Sequence, residues 1–189
     1  MSKTKFGPQT LLYPMPVLLV GADINDTPNF MTAAWGGIAN GDPPMISIAI
    51  RKSRHTLKGI TQYMVFSVNI PSVNMVKEAD YCGIISGSKT NKVDTCAFDV
   101  FYGVLTYAPC ISQCPVNLEC KAIHILELGS HSLVIGQIME THISDDCLTN
   151  GKPDVDKIRP LIYTPSPATC YQSFGPIIAK AFSAGKTIK

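Results

Sequence analysis

The chain has 189 residues, enough for one domain with a sizeable core, and its net charge of +2 is too small and too local to suggest a nucleic-acid partner. Apolar residues make up 46% and charged residues only 16%, so part of the apolar surface is expected to be buried, most simply in an oligomer interface. No apolar run reaches the roughly 18–20 residues that a membrane-spanning helix needs.

The predicted elements are mostly strands. Residues 17–22 form a continuous apolar run that stops at the turn-rich Asp23-Ile24-Asn25-Asp26, and residues 30–35 resume as the second arm of a hairpin. Asp42-Pro43-Pro44 breaks the chain before residues 45–50, where Ile46, Ile48 and Ile50 share one face and Met45, Ser47 and Ala49 the other. Residues 56–63 read as a short helix and 64–70 as a strand. Pro71-Ser72 introduces a second helix from about Val73, with Ser72 as its N-cap, ending near Gly83. Residues 86–90 form a polar loop, and residues 98–109 carry no clear pattern. Residues 118–128 and 133–143 are two long strands joined through Gly129-Ser130, whose leading glycine suits a type II′ turn. Residues 160–163 give a last short strand, and the tail from Tyr171 is expected to be partly helical. Without regular β/α alternation, the pattern is mainly β: an antiparallel β-barrel with peripheral helices in a single domain covering residues 1–189.

Seven cysteines lie between positions 82 and 170. Their odd number, and a start at Met1-Ser2-Lys3-Thr4-Lys5 without an apolar signal stretch, predict reduced thiols in a cytoplasmic protein. Cys110-x3-Cys114-x5-Cys120 matches no metal spacing, so no metal site is expected. Cys114, Val116, Leu118 and Cys120 should share one strand face and serve packing.

Three segments could carry chemistry. Arg51, Lys52, Ser53, Arg54, His55 and Thr56 gather cations, an imidazole and hydroxyls without an acid, just before a helix start, as an anion site requires. That composition alone equally fits a solvated basic turn. Ser86, Gly87, Ser88 and Lys89 repeat the combination of hydroxyls, free backbone and a cation, as a second arm around a phosphate would. Neither segment is a Walker or dinucleotide fingerprint. Thr32, Ala33 and Ala34 would let a flat ring approach the backbone, with Asn29 or Thr32 hydrogen-bonding it and Trp35 either stacking nearby or serving core or interface. A flat ring at one end and a phosphate at the other is the shape of flavin mononucleotide (FMN).

The ordered set Pro14-x-Pro16-Val17, Asn29-x-Met31-Thr32-Ala33-x-Trp35, Pro43-Pro44, Ser53-Arg54-His55-Thr56, Phe66-Ser67-Val68-Asn69, Cys82-Gly83-x-x-Ser86-Gly87 with Lys89, and Cys114-Pro115-Val116-Asn117-Leu118-Glu119-Cys120 resembles the flavin reductase-like family, in its flavoredoxin branch. The resemblance covers about residues 10–185. It implies an FMN-binding split β-barrel of antiparallel Greek-key type, non-covalent FMN and a homodimer with the flavin near the interface. It further implies that Asn29, Thr32, Ala33, Ala34 and Trp35 border the ring. Arg51, Ser53, His55 and Thr56 would hold the phosphate and ribityl chain, with Ser86, Gly87, Ser88 and Lys89 completing the grip. Thr90-Asn91-Lys92-Val93 departs from the acidic-Lys-aromatic pattern of many relatives, and no separate nicotinamide domain is present.

Such a protein needs no catalytic side chain, since the cofactor carries the chemistry, and His55, His124, His131 and His142 are not compelling catalysts. The leading expectation is an FMN-dependent oxidoreductase with NAD(P)H as a possible donor and a small-molecule or protein redox partner. The rivals are a non-enzymatic FMN electron-transfer protein serving protein partners, and a split barrel that has lost flavin or binds another cofactor such as haem.

Overall fold

Alternating apolar residues shape the strands of a computed structural model that describes residues 1–188. A short β1 (Met15–Pro16) leads to β2 (Leu18–Ile24), which turns through Asn25 and Asp26 into β3 (Thr27–Ala33). Both turn residues take positive φ, 50° and 60°, the type I′ geometry that Asn and Asp tolerate. The strand ends at Ala33, so Ala34 and Trp35 lie beyond it. β4 (Gly36–Gly41) and β5 (Pro44–Arg51) then form a hairpin around the cis Asp42–Pro43 bond. The break at the prolines is therefore a turn, and β4 is a glycine-rich strand that no apolar alternation announces. In β5, Ile46, Ile48 and Ile50 are buried while Met45, Ser47 and Ala49 stay half-buried, as the alternation predicts.

α1 (Thr56–Tyr63) and β6 (Val65–Ile70) fall where expected. The next helix is displaced: a 3-10 turn at Val73–Met75 precedes α2 (Val76–Ile84), and the Ser72 hydroxyl makes no capping bond. α3 (Lys92–Thr95) is capped instead by the Asn91 side chain, which accepts from the Val93 and Asp94 amides. β7 (Val100–Phe101) and β8 (Cys110–Ile111) pair across the unpatterned stretch. β9 (Val116–Leu128) and β10 (His131–Ile143) form the long hairpin, with Gly129 at φ 58°. β11 (Leu148–Thr149), β12 (Lys152–Pro153), α4 (Val155–Ile158), β13 (Ile162–Thr164) and β14 (Cys170–Gln172) complete the order. Among the described residues the tail holds one 3-10 turn, at Ala184–Thr187, and Gly175-Pro176 disfavours a longer helix before it. Among the described residues no helix is long and apolar enough to cross a membrane.

Seven strands form one antiparallel sheet in the order β3-β2-β6-β9-β10-β5-β4, and β1, β13 and β14 form a separate small one. The barrel expectation needs correction here. The ladder does not close, because the two-residue link after β3 folds β4 back onto β5, while α2 and α3 pack along the free side of β3. The open sheet still curls, since one core cluster unites Val20, Met31, Ile48, Phe66, Cys120 and Val134 from six of its strands. Leu19, Phe30, Phe98, Ile111 and Cys114 form a second cluster on the other side. Cys114 and Cys120 thus sit in different cores: β9 begins only at Val116, so the expected shared face breaks before Cys114. Packing remains their observed role. Burial pushes Cys82 and Cys110 up to about 12 and the other two further still.

A stripe of buried polar groups organises residues 98–114. Asn69 accepts from the Ile111 amide at 2.9 Å, and Asn117 donates to the Ile111 carbonyl at 2.9 Å. Ser67 donates to the Pro109 carbonyl. Glu119, fully buried, accepts from the Val104 and Leu105 amides at 3.0 and 2.6 Å and from His142 Nε2 at 2.6 Å. Glu119→Ala would leave all three donors without their acceptor. It should cost about 3 kcal/mol or more of unfolding free energy, measured by urea denaturation, and Glu119→Gln should recover part of that. A loss below roughly 1 kcal/mol would show that the carboxylate does not hold this segment.

Candidate functional site

The edge position of β3 leaves half of its backbone polar groups facing away from β2. Its last residues, with Ala34 and Trp35, floor a cavity of about 540 Å³. The small side chains of Ala33, Ala34 and Ala49 expose this floor. The Thr32 hydroxyl is turned away and donates to the Ala79 carbonyl of α2, so Thr32 offers its backbone rather than its side chain. Trp35 is 41% exposed, which rules out a core role, and its ring stacks on His131 at 4.7 Å and 22°. Tyr163 and Tyr171 of the β13–β14 hairpin also line the cavity, and Asp80 of α2 accepts from the Tyr171 hydroxyl at 2.9 Å.

A second chamber of about 490 Å³ adjoins the first, and Met31, Arg51, Arg54 and Gly83 line both. Ser53, His55 and Thr56 form one wall, at the start of α1, and Ser86 and Gly87 form part of the other. α1 has no acidic residue in its first turn and no side-chain cap, so its N-terminal partial charge is uncompensated. Ser88 and Lys89 lie exposed outside this lining. The Ser88 hydroxyl bonds the Ser86 hydroxyl at 2.9 Å, and the Lys89 amide donates to the Ser86 carbonyl at 3.0 Å; both close the loop.

Asn29 does not reach the ring cavity. Its amide donates to Thr56 Oγ1 at 2.6 Å, and its Oδ1 lies where a Cβ on Gly87 would come within 1.7 Å. Asn29 therefore braces both arms of the second chamber from behind, and Gly87 is required for that close approach.

Two cations missing from the expected site complete it. Lys92 is 3% exposed and donates to the Phe30 carbonyl at 2.8 Å and the Cys82 carbonyl at 2.9 Å, leaving one of its three N–H groups for the chamber it lines. Its position after the polar loop was visible in the sequence, but burial of its head group was not. Arg54 donates to the Gly83 carbonyl at 2.7 Å, at the junction of the chambers. Burial lowers the pKa of Arg54 and Lys92, and Arg51 adds to the effect on Arg54. His55 is lowered by burial, then by Lys58 and Lys92. No carboxylate lines the second chamber, and the ion pairs of the described residues, Lys52–Glu127 and His142–Glu119, lie elsewhere. Cations crowded without a counter-charge at a helix start fit a phosphate. Each chamber falls within the roughly 300–1,000 Å³ typical of small-molecule sites.

The model of the Flavin reductase like domain matches residues 10–168. A flavoredoxin from Methanosarcina acetivorans superposes with a TM-score of 0.95 at 37% identity, covering 100% of both chains. The flavoredoxin of Desulfovibrio vulgaris (Miyazaki F) gives 0.91 at 39% identity, over 98% of this chain and 100% of that one. An uncharacterised protein of Archaeoglobus fulgidus is 32% identical over 146 residues, 77% of this chain and 81% of its own length. The chain belongs to the flavin reductase-like family. Within that family its place is in the flavoredoxin branch.

The lowered pKa of His55 fixes the sign of a pH effect. Its contribution to stability is full above the ordinary value of 6.5 and is lost as pH falls from there through the depressed pKa, because the unfolded chain takes up a proton that the folded chain resists. The cofactor-free protein should therefore weaken on acidification below that value. His55→Gln should flatten the slope of stability against pH, measured by thermal melting across a pH series; an unchanged slope would assign it to other groups.

Proposed function

We propose that the chain is an oxidoreductase of the flavin reductase type that holds FMN non-covalently across the two chambers. The carrying observation is the pairing of a flat, small-residue floor with an acid-free cluster of cations at a helix N-terminus. Thr32, Ala33, Ala34 and Trp35 would border the ring. Arg51, Ser53, His55, Thr56, Ser86 and Gly87, joined by Arg54 and Lys92, would hold the ribityl chain and phosphate. Bound FMN would supply the electron- and hydride-accepting chemistry. The end of β3 would border the ring and partly shield it from water, and the cations at the start of α1 would offset the phosphate charge. Ser88 and Lys89 would contribute by shaping the loop.

We place the chain among enzymes rather than pure carriers because the ring chamber has lining left over for a small reactant, with NADH or NADPH as candidate donors. The curled open sheet is in keeping with a split barrel, and residues 10–168 with a single functional domain. A homodimer is supported by the exposed apolar residues Trp35, Leu126, Leu128 and Met139, which the strand registers place on the side of the sheet away from Ile46, Ile48 and Ile50. Leu128 pairs with His131, the stacking partner of Trp35, so this face borders the ring chamber.

Arg54→Met combined with Ser53→Ala should weaken FMN about tenfold or more and riboflavin far less, because only FMN carries the phosphate. Quenching of flavin fluorescence on binding measures both, and equal losses would show that the phosphate lies elsewhere. Anaerobic addition of NADH or NADPH to the FMN-loaded protein should bleach the flavin absorbance. Persistent colour with both would favour a carrier served by protein partners.

A further inference from the structure

Two parts of the ring chamber's lining differ in chemistry. The floor is small and apolar; a wall formed by α2 and the β13–β14 hairpin carries two phenols and Asp80, the only carboxylate lining either chamber among the described residues. We infer that Asp80 and Tyr171 form a subsite for the second reactant, one that takes neutral or cationic planar rings and disfavours anionic ones. This rests on the proposed function, which assigns the floor to a flavin and leaves the wall for the reacting partner.

Four observations carry the assignment. Asp80 Oδ1 accepts from the Tyr171 hydroxyl at 2.9 Å, which fixes the carboxylate against the β13–β14 hairpin. Its other oxygen has no hydrogen bond among the described residues, although the side chain lines the cavity. Neither Arg51 nor Arg54 forms an ion pair with it. The rings of Tyr163 and Tyr171 stand 5.8 Å apart at 51°, giving a flat ligand aromatic surface beside the carboxylate. Burial and Asp80 together raise the pKa of Tyr171, so its proton stays on the phenol and the anchor persists.

Helix geometry divides the cleft. Asp80 and Gly83 lie three residues apart on α2, so the same helix face supplies both the wall and the junction. Arg51 and Arg54 also line the ring chamber, but they line the second chamber too, where a phosphate, once bound, would offset them. Polarity therefore runs from positive at the start of α1 to negative at Asp80. An anionic ring placed at the wall meets like charge in a partly desolvated space, and a cationic one meets its complement.

The test uses three rings of nearly equal shape: benzamidine (cationic), benzamide (neutral) and benzoate (anionic). Each is titrated into the FMN-loaded protein, and binding is read from perturbation of the flavin absorbance and by equilibrium dialysis. Benzamidine should bind tightest and benzoate weakest, about tenfold apart, and Asp80→Asn should bring the pair within roughly twofold. Benzoate equal to or tighter than benzamidine, no binding by any of the three at millimolar concentration, or an unchanged order in Asp80→Asn would overturn the subsite. The wild-type order tests the sign whatever the variant's stability. FMN uptake is measured in the same samples: failure to bind FMN counts against the flavin reading, whereas FMN bound without the predicted order counts against the subsite alone.

Discussion

A buried ammonium joins the parts of this cleft. Lys92 reaches from α3 to the carbonyl of Phe30 in β3 and the carbonyl of Cys82 near the end of α2. Those carbonyls belong to segments that lead to the floor of one chamber and the junction of both. A charged group at 3% exposure is costly to desolvate, and two carbonyl acceptors offset only part of that cost. The remaining donor faces a chamber with no acid in it. The fold therefore holds unbalanced positive charge where an anionic ligand would complete the balance, which couples ligand binding to the packing of β3, α2 and α3.

Much of this was legible in the sequence. The isoleucine alternation of β5, the 129–130 turn and the helix at 56–63 each follow a local rule, and the structure obeys them. The basic segment and the polar loop line one chamber, although residues 57–85 separate them in the chain. β4 was hidden because a glycine-rich strand has no side-chain period to read. Residues 98–109 were hidden for another reason: this stretch and the Ile111 that follows are held by Asn69, Asn117 and Glu119 reaching across from distant strands, and no local pattern records such a partner.

The site shows the same division. Residue types suggested an anion-binding segment, and the cations do surround an acid-free chamber. What type alone could not supply was direction. Asn29 and Thr32 both looked like ring contacts, yet one braces Thr56 and the other bonds a helix carbonyl. Lys89 looked like the loop's useful cation, but Lys92, three residues later, is the one turned inward. Side-chain direction depends on which backbone carbonyls need donors, and that is settled only once the chain has folded.

The cysteines carry a last consequence. Burial pushes the Cys82 and Cys110 thiols up to about 12, so the thiolate is a minor form at neutral pH. Oxidants attack the thiolate, so such sulfurs react slowly with peroxides or disulfides even where these reach them. A protein that passes electrons near oxygen would generate such oxidants at its own surface. Sulfur embedded in the apolar clusters, as at Cys82, Cys114 and Cys120, lets the chain fill space with a soft, polarisable atom of low reactivity.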